Sequence, residues 1–320
     1  FYNGPIARSL ATAAREAGGH VDEEDLAMHE TTWVEPIHTD YRGLRVYEIP
    51  PPGQGIAALQ MLNILEGFDM AGLDPLGAER IHLEVEAKKL AFADRHAKIG
   101  DPEFADVPAE ALISKDYAAK LRGRISRERA GVSVGPNLGD DTTYLCAVDA
   151  EGNGCSFINS LYMGFGSGVV ADGTGVCLQN RGHSFRLDSE HPNSLAPGKR
   201  PMHTIIPGLV TKDGALWSVF GNMGGPMQPQ GHFQVLSNMI DHGMTVQEAV
   251  DHPRHFHDHD SNLLLVEGRV SDGEVERLRA LGHDVEVGAD YIVPVGGAQI
   301  IHVTDGGVRA CGSDPRKDGC

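Results

Sequence analysis

The strongest constraint on the fold is the segment RERAGVSVGPNLGDD, residues 127–141, where the predicted secondary structure changes from mostly helices to mostly strands. This segment is polar, punctuated by glycine and proline, and poor in large apolar residues, which is typical of an exposed linker open to nicking. Mostly helical patterns precede it, and short strand patterns follow it. The stretches DAEGNG (149–154) and TKDGA (211–215) predict tight hairpin turns with glycine at positive φ. This segregated order favours an α+β fold, with helices covering antiparallel sheets, over a doubly wound parallel sheet.

The individual elements follow from apolar spacing and from capping residues. Pro5 suits the first turn of a helix that Gly18 and Gly19 end, and Leu59, Leu62 and Leu65 form the predicted apolar face of a later helix. Helices are predicted in residues 4–19, 22–30, 56–68, 76–98, 115–130, 228–242, 245–252 and 272–281. Residues 41–55 are predicted to form a strand that runs into a Pro/Gly loop. Further strands are predicted in residues 143–149, 154–160, 168–171, 175–179, 206–212, 216–220, 262–266, 284–287, 298–303 and 307–311.

The composition argues against some classes of partner. The 320 residues carry 27 Lys and Arg against 45 Asp and Glu, a net charge of −18, which disfavours nucleic acid and anionic membrane surfaces as main partners. No apolar run approaches the ~20 residues of a spanning helix. The five cysteines are scattered without a CxxC pair, and we interpret them as buried free thiols. Since the chain lacks a starting Met, we interpret it as a fragment or processed piece, so cytoplasmic and periplasmic or secreted locations are not separable.

The pair Thr142-Thr143 opens a strand pattern directly after two aspartates. A mid-chain threonine is a poor nucleophile because no base adjoins its hydroxyl. If the Asp141–Thr142 bond breaks, the new α-amine, whose pKa lies near ~8, can accept the hydroxyl proton. The same hydroxyl could first cut the chain by attacking the carbonyl of Asp141. The alternative is that these threonines are ordinary strand formers behind an acidic turn.

A glycine pair, Gly224-Gly225, lies between a predicted strand and a predicted helix. Consecutive backbone N–H groups near a helix N-terminus could hold an oxyanion, although a plain loop would have the same sequence. A further polar group, His203 and Thr204 in the stretch GKRPMHTIIP, precedes a buried strand. These features supply the partners that a nucleophilic Thr142 would need.

Four stretches, DDTTYLCAVDAEGNG, FGSGVVADGTGVCLQN, GKRPMHTIIP and GNMGGPMQPQ, in this order and spacing, resemble the γ-glutamyltransferase (γ-glutamyltranspeptidase) family of N-terminal-nucleophile hydrolases. The first half is similar to the family as well. The resemblance implies a four-layer αββα sandwich and no cofactor or metal. It also implies that residues 1–141 are the C-terminal part of a large subunit and that residues 142–320 are a small subunit, both from one precursor.

The resemblance also places the catalytic residues. The nucleophile falls on Thr142, with Thr143 as the second threonine of the motif. The hydroxyl that orients the nucleophile's amine falls on Ser160, where the family usually has threonine. The pair that stabilises the oxyanion falls on Gly224 and Gly225.

The substrate-binding positions depart from the γ-glutamyl pattern. Tyr162 replaces an asparagine, Ser184 replaces the aspartate that binds the α-amino group, and the serine pair that holds the α-carboxylate is His203 and Thr204. Arg181 replaces a neutral or acidic contact. Loss of the aspartate and gain of an arginine favour an anionic acyl group without an α-amine, as in the divergent branch that includes oxamate amidohydrolase and cephalosporin (glutaryl) acylase-like members. In the alternative, Arg181 pairs with a neighbouring acid and leaves the pocket neutral.

The sequence therefore predicts a self-processing Thr-dependent amidohydrolase or acyltransferase that resembles glutathione hydrolase and acts on a small γ-glutamyl or related dicarboxylic amide. The alternatives are an oxamate or glutaryl amide hydrolase, and a non-catalytic scaffold or ligand-binding relative. A homo-oligomer stays open. The histidine-rich stretch HPRHFHDHD, residues 252–260, is interpreted as a loop that follows a surface helix rather than as a metal site, because alternating histidines on a loop need not converge and Pro253 breaks any helical presentation.

Overall fold

The computed structural model describes residues 1–133, 135 and 142–319, together with the backbone of Asp141. Part of the predicted linker and Cys320 lie outside the described residues. The helices are α1 (Pro5–Glu16), α2 (Glu23–Ala27), α3 (Gly55–Leu65), α4 (Ala78–Lys98), α5 (Ala109–Leu112), α6 (Lys115–Arg122), α7 (Met227–Ile240), α8 (Val246–Asp251) and α9 (Asp272–Ala280). The strands are β1 (Ile37–Tyr41), β2 (Leu44–Glu48), β3 (Asp141–Val148), β4 (Gly154–Tyr162), β5 (Gly208–Lys212), β6 (Ala215–Asn222), β7 (His255–His257), β8 (Leu263–Val266), β9 (Asp284–Val287), β10 (Ala298–Val303) and β11 (Arg309–Ser313).

A six-stranded antiparallel sheet in the order β1-β2-β5-β6-β10-β11 forms the centre of the described structure. Helices α3, α7 and α8 pack on one face of this sheet, and the β3–β4 hairpin packs on the other face over β6 and β10. The main hydrophobic core lies between the helices and the sheet. Strands from before residue 141 and strands from after it therefore share one sheet.

Glycine lets the hairpin approach the sheet closely. The ring of Tyr144, on β3, is buried against Gly221 of β6, where an added Cβ would lie 2.3 Å from the ring. Any larger residue at position 221 would push the hairpin away from the sheet. The turn between β3 and β4 has Gly152 at φ +88°, and the turn between β5 and β6 has Asp213 and Gly214 at positive φ, as the hairpin signals predict.

The α+β class and most predicted elements are confirmed, and several details were wrong. Helix α3 has no single apolar face, since every one of its residues is buried between the sheet and the helices α4, α6 and α7. The predicted basic helix 115–130 ends at Arg122, with Gly123 as its C-cap. Of the strands predicted at 168–171 and 175–179, only the isolated bridge Val170–Cys177 forms. Of the cysteines predicted to be buried, Cys155 and Cys311 are exposed.

A three-stranded sheet, β7-β8-β9, lies apart from the central sheet and was only partly predicted. Strand β7 falls in the histidine-rich stretch, and β8 and β9 are parallel, joined through α9. His255 and His257 lie on a strand and, like His259, are buried, so the loop predicted for this stretch was partly wrong. No helix among the described residues has the length and apolar character needed to cross a membrane.

Candidate active site

Thr142 lies at an irregularity near the start of β3. Asp141 pairs with Tyr162 and Thr143 pairs with Asn159, so the register of the hairpin shifts across Thr142. Bulges of this kind redirect a side chain out of the regular strand alternation. The Thr142 Oγ1 lies 3.4 Å from the Ser160 Oγ and 3.4 Å from the Gln228 Nε2.

Ser160 lies opposite this irregularity, near the end of β4. Its Oγ accepts a hydrogen bond from the backbone N–H of Tyr162 at 2.9 Å. Tyr162 is fully buried and has φ +83°, a conformation that a bulky side chain rarely adopts and that is often found at functional sites. The chain turn after β4 therefore aims the Ser160 hydroxyl at Thr142.

The glycine pair lies between β6 and α7, as predicted. Gly224 has φ +111° and Gly225 has φ +52°, so both backbone conformations favour glycine. The carbonyls of these glycines accept the first N–H groups of α7, those of Met227 and Gln228. Neither glycine N–H donates a hydrogen bond to another described residue. Two free N–H groups before a 14-residue helix are suited to bind an anion.

A buried glutamine before α3, Gln54, connects this loop to the rest of the site. Its Nε2 donates to the carbonyl of Gly225 at 2.8 Å and to the carbonyl of Thr204 at 2.7 Å. The Arg95 Nη1, on α4, donates to the Gln54 Oε1 at 2.6 Å. Burial lowers the pKa of Arg95 to about 9. Sequence reasoning missed Gln54 and Gln228, because the chain pattern offers no signal for long-range contacts of a buried amide.

Arg181 lies beside the nucleophile candidate. Its Nη2 is 3.3 Å from the carbonyl oxygen of Ser160, its Nη1 is 3.5 Å from the Thr204 Oγ1, and its Cζ is 5.4 Å from the centre of the Tyr162 ring. Arg181 is only 9% exposed. No described carboxylate lies within ion-pair distance of it, so the alternative in which a neighbouring acid neutralises Arg181 finds no partner in the described part of the chain.

The two remaining predicted substrate contacts, His203 and Ser184, have different surroundings. Burial and the positive charge of Arg181 lower the pKa of His203 to about 4, so the imidazole is neutral at pH 7. The Ser184 hydroxyl donates to the carbonyl of Met202 at 2.7 Å and lines a cavity of about 380 Å³ together with Met202 and Asn193. Contacts thus connect Thr142, Ser160 and Arg181 with the other predicted site residues Tyr162, His203 and Thr204. The Ser184 hydroxyl is instead used by the backbone and lines a cavity that includes none of these residues.

The buried histidines of the HPRHFHDHD stretch do not converge on one point. His257 contacts Lys88, His259 stacks on His96, and His255 faces Glu84. A different group, His82, Glu86 and His283, has its ligand atoms within 4.8 Å of one another. There the His82 Nδ1 contacts the His283 Nε2 at 2.8 Å, and Glu86 is paired with Lys89 at 2.9 Å. These contacts satisfy the three side chains within the chain, and we assign them no metal.

The whole chain, residues 1–320, matches the family model described as Gamma-glutamyltranspeptidase. The chain is 40% identical to the glutathione hydrolase-like YwrD proenzyme of Bacillus subtilis, and the alignment covers 100% of this chain and 61% of that protein. It is 36% identical to the oxamate amidohydrolase proenzyme of Klebsiella pneumoniae, with the same coverage. The chain therefore spans about three fifths of the length of these curated relatives.

Among solved structures, a cephalosporin acylase from Bacillus halodurans matches with a TM-score of 0.91 at 44% identity, and the match covers 100% of this chain and 58% of that one. A gamma-glutamyltranspeptidase from Pseudomonas nitroreducens matches 56% of this chain and 97% of its own, with a TM-score of 0.51 at 28% identity. These matches confirm the predicted sandwich of the N-terminal-nucleophile hydrolase type. With the family model matched from end to end and the same fold in these relatives, the chain belongs to the gamma-glutamyltranspeptidase family.

Proposed function

We propose that this protein is a self-processing amidohydrolase or acyltransferase in which Thr142 is the nucleophile, and that residues 1–141 and 142–320 become its two subunits. The observation that carries the proposal is the placement of the Thr142 hydroxyl between Ser160 and Gln228, at the strand irregularity. The family membership and the word "proenzyme" in the names of two relatives support it.

Processing begins from the intact chain. The Thr142 Oγ1 attacks the carbonyl carbon of Asp141, and the peptide bond is exchanged for an ester as the nitrogen leaves as an α-amine. Water then hydrolyses the ester and frees the Asp141 carboxylate. The new α-amine on Thr142 is the base that the intact chain lacks, because an amine with a pKa near ~8 is partly neutral at pH 7.

Turnover uses the same oxygen. The Thr142 Oγ1 adds to the amide carbonyl of the substrate while its proton passes to the α-amine. The N–H groups of Gly224 and Gly225 stabilise the oxyanion. The intermediate collapses to an acyl ester as the leaving amine takes the proton. Water, or an acceptor amine, then attacks the ester, releases the acyl group and restores the threonine hydroxyl.

The proposed substrate is the amide of a small dicarboxylic acid without an α-amine, such as a glutaryl or oxamate-like group. An arginine that is 9% exposed and lacks an acid among the described residues is costly unless an anion completes the site. The neutral His203 and the hydroxyl of Thr204 supply no negative charge for an ammonium. Relatives named oxamate amidohydrolase and cephalosporin acylase fit this substrate class.

The nucleophile is tested by comparing Thr142→Ser, Thr142→Val and Thr142→Ala on a denaturing gel and in an amide hydrolysis assay. Thr142→Ser keeps the hydroxyl, so we expect cleavage after Asp141 into two polypeptides and measurable turnover. Thr142→Val keeps the shape without the hydroxyl, so we expect one polypeptide and a loss of activity of at least ~10³-fold. A Thr142→Ala protein that matures and turns over amides normally would refute the proposal.

The substrate class is tested with glutaryl and γ-glutamyl 4-nitroanilides, which differ only in the α-ammonium group. We expect a higher kcat/KM for the glutaryl compound. A series of dicarboxylic half-anilides from oxalyl to glutaryl then measures the preferred chain length. A strong preference for the γ-glutamyl compound would show that Arg181 and Ser184 do not act as proposed, and would favour a glutathione hydrolase.

A further inference from the structure

A glutamine in the first turn of α7 contacts the reacting oxygen of the proposed nucleophile. The Gln228 Nε2 lies 3.4 Å from the Thr142 Oγ1, and Gln228 is fully buried. Resting on the function proposed above, we propose that Gln228 is a catalytic hydrogen-bond donor that stabilises negative charge on the Thr142 oxygen whenever this oxygen attacks or leaves.

The direction of the Gln228 amide is fixed by its other contact. The backbone N–H of Ile206 donates to the Gln228 Oε1 at 3.1 Å. A backbone N–H is only a donor, so the atom that faces Ile206 must be the amide oxygen. The atom that faces Thr142 is therefore the NH₂ group. Burial of the whole side chain leaves it little freedom to rotate away from this arrangement.

The hydroxyl of Thr142 fits a donor at this position. Its proton points toward the Ser160 Oγ, and a lone pair on its oxygen is free to accept from Gln228. Both contacts are 3.4 Å long, as is common before a substrate or a charge draws the groups together. When the oxygen loses its proton, a hydrogen bond to the resulting anion becomes shorter and stronger.

The amide of Gln228 supplies a donor without taking part in proton transfer. It does not titrate, so it leaves the role of base to the α-amine of Thr142. The same donor is in place in acylation, when the oxygen attacks, and in deacylation, when the oxygen leaves the ester. The backbone N–H of Gln228 also donates to the carbonyl of Gly225 at 3.1 Å, so one helix start holds both this donor and the proposed oxyanion loop.

Substitutions at Gln228 separate a donor from a structural amide. Gln228→Met keeps the length of the side chain and removes all hydrogen bonding. Gln228→Glu keeps the acceptor for the Ile206 N–H and replaces the donor toward Thr142 by a negative oxygen. A structural role predicts that Glu preserves more activity than Met. A donor role predicts that Glu is no better than Met at pH 8. It also predicts that the kcat of the Glu variant relative to the parent at the same pH rises as the pH falls and the acid becomes a donor, a ratio in which the protonation of the Thr142 α-amine cancels.

Gln230→Met is the matched control. Gln230 is a buried glutamine on the same helix, and its Nε2 contacts the carbonyls of Pro226 and His257 rather than Thr142. In the purified protein, with glutaryl 4-nitroanilide as the probe, we expect Gln228→Met to lower kcat by about 10²-fold, the magnitude found for removal of one donor from a reacting oxygen. We expect KM to change less than about threefold, and Gln230→Met to keep kcat within about threefold.

The outcomes distinguish this inference from the proposed function. If Thr142→Val is inactive but Gln228→Met and Gln230→Met have equal kcat, the donor role of Gln228 is wrong and the nucleophile stands. If Thr142→Val is active, both proposals fail. If Gln228→Met does not fold, Gln228→Glu decides the question. An undiminished kcat at pH 8 overturns the inference, and a ratio of variant to parent kcat that rises as the pH falls supports it.

Discussion

Two buried arginines in this molecule have opposite surroundings. Arg316 uses its side chain fully: its nitrogens donate to both carboxylate oxygens of Glu267, to Asp314, and to the carbonyls of Val250 and His252. Arg181 makes two long contacts, at 3.3 and 3.5 Å, neither of them with a carboxylate. Arg316 therefore has its counter-ions and hydrogen-bond acceptors within the core. Arg181 has no carboxylate counter-ion among the described residues.

The difference separates structural from functional polar groups. A buried arginine with paired acids and carbonyls needs nothing further, so it stabilises the packing of β10, β11 and the β7-β8-β9 sheet. A buried arginine with unused donors keeps part of its desolvation cost until an anion binds. The distinction rests on hydrogen-bond completeness, and burial alone would have grouped the two arginines together.

The largest expected effect is a loss of folding stability when Arg316, the arginine with paired acids, is replaced. Arg316→Met leaves Glu267 and Asp314 with fewer partners inside the core, and we expect the free energy of unfolding to fall by about 3 kcal/mol or more. Urea or guanidinium unfolding of the variant and the parent measures the change. An unfolding free energy equal to that of the parent would show that burial and full hydrogen bonding do not identify a structural arginine here.

The second largest expected effect is a loss of activity when Arg181, the arginine without a described counter-ion, is replaced. Arg181→Met removes a charge without breaking an ion pair among the described residues, so we expect an unfolding free energy within about 1 kcal/mol of the parent or above it. The kcat/KM for glutaryl 4-nitroanilide should fall by about 10²-fold, the loss of one charge-assisted contact. Arg45→Gln, at an exposed pair with Asp40, is the control and should leave kcat/KM unchanged. A large loss of stability with unchanged kcat/KM would reverse the comparison.

A smaller effect concerns buried histidines and pH. Burial lowers the pKa of His255 to about 3, and burial with the charge of Arg181 lowers the pKa of His203 to about 4, below the ordinary 6.5. Above pH 6.5 both are neutral in the folded and unfolded chains. Between pH 6.5 and 4 only the unfolded chain takes up their protons, so stability falls on the order of 1 kcal/mol per pH unit for each such histidine.

Denaturant unfolding at pH 7 and pH 5 measures this loss, and His255→Gln should reduce the dependence on pH. Arg181→Met should reduce it as well, because it removes one of the causes that lower the pKa of His203. Equal slopes in the parent and in both variants would mean that these imidazoles are not the groups that bind protons on unfolding.

Local signals in the sequence predicted much of the fold. The Pro5 start of α1 and the Asp213-Gly214 turn depend on neighbouring residues alone, and both were predicted. The end of α6 at Arg122 was missed, because polar residues beyond Gly123 kept a helical composition. The predicted strands at 168–171 and 175–179 were wrong because glycines at positive φ, such as Gly168 and Gly173, turn the chain before a ladder can form.

In the candidate site, too, residues within a local motif could be named from the sequence, and residues whose partners are distant along the chain could not. Thr142, Ser160 and the glycine pair could be named as candidates because their motif is local and resembles a family, and their roles stay predictions. Gln54 and Gln228 were missed because their importance comes from partners far along the chain, such as Thr204 for Gln54 and Thr142 for Gln228. From the sequence it was a hypothesis that Arg181 has no neighbouring acid as a partner. Only the three-dimensional surroundings show that no described carboxylate pairs with it.

The shared central sheet has a consequence for a molecule cut before Thr142. Strand β2 pairs with β5, and α3 packs against both β1 and α7. The piece before Thr142 and the piece that begins with it would therefore stay bound through backbone hydrogen bonds and a shared hydrophobic core. Such a nicked molecule would keep its native size until it was denatured. After denaturation its recovery would require an encounter between two separate polypeptides, so its refolding yield would depend on concentration, whereas that of the uncut precursor would not.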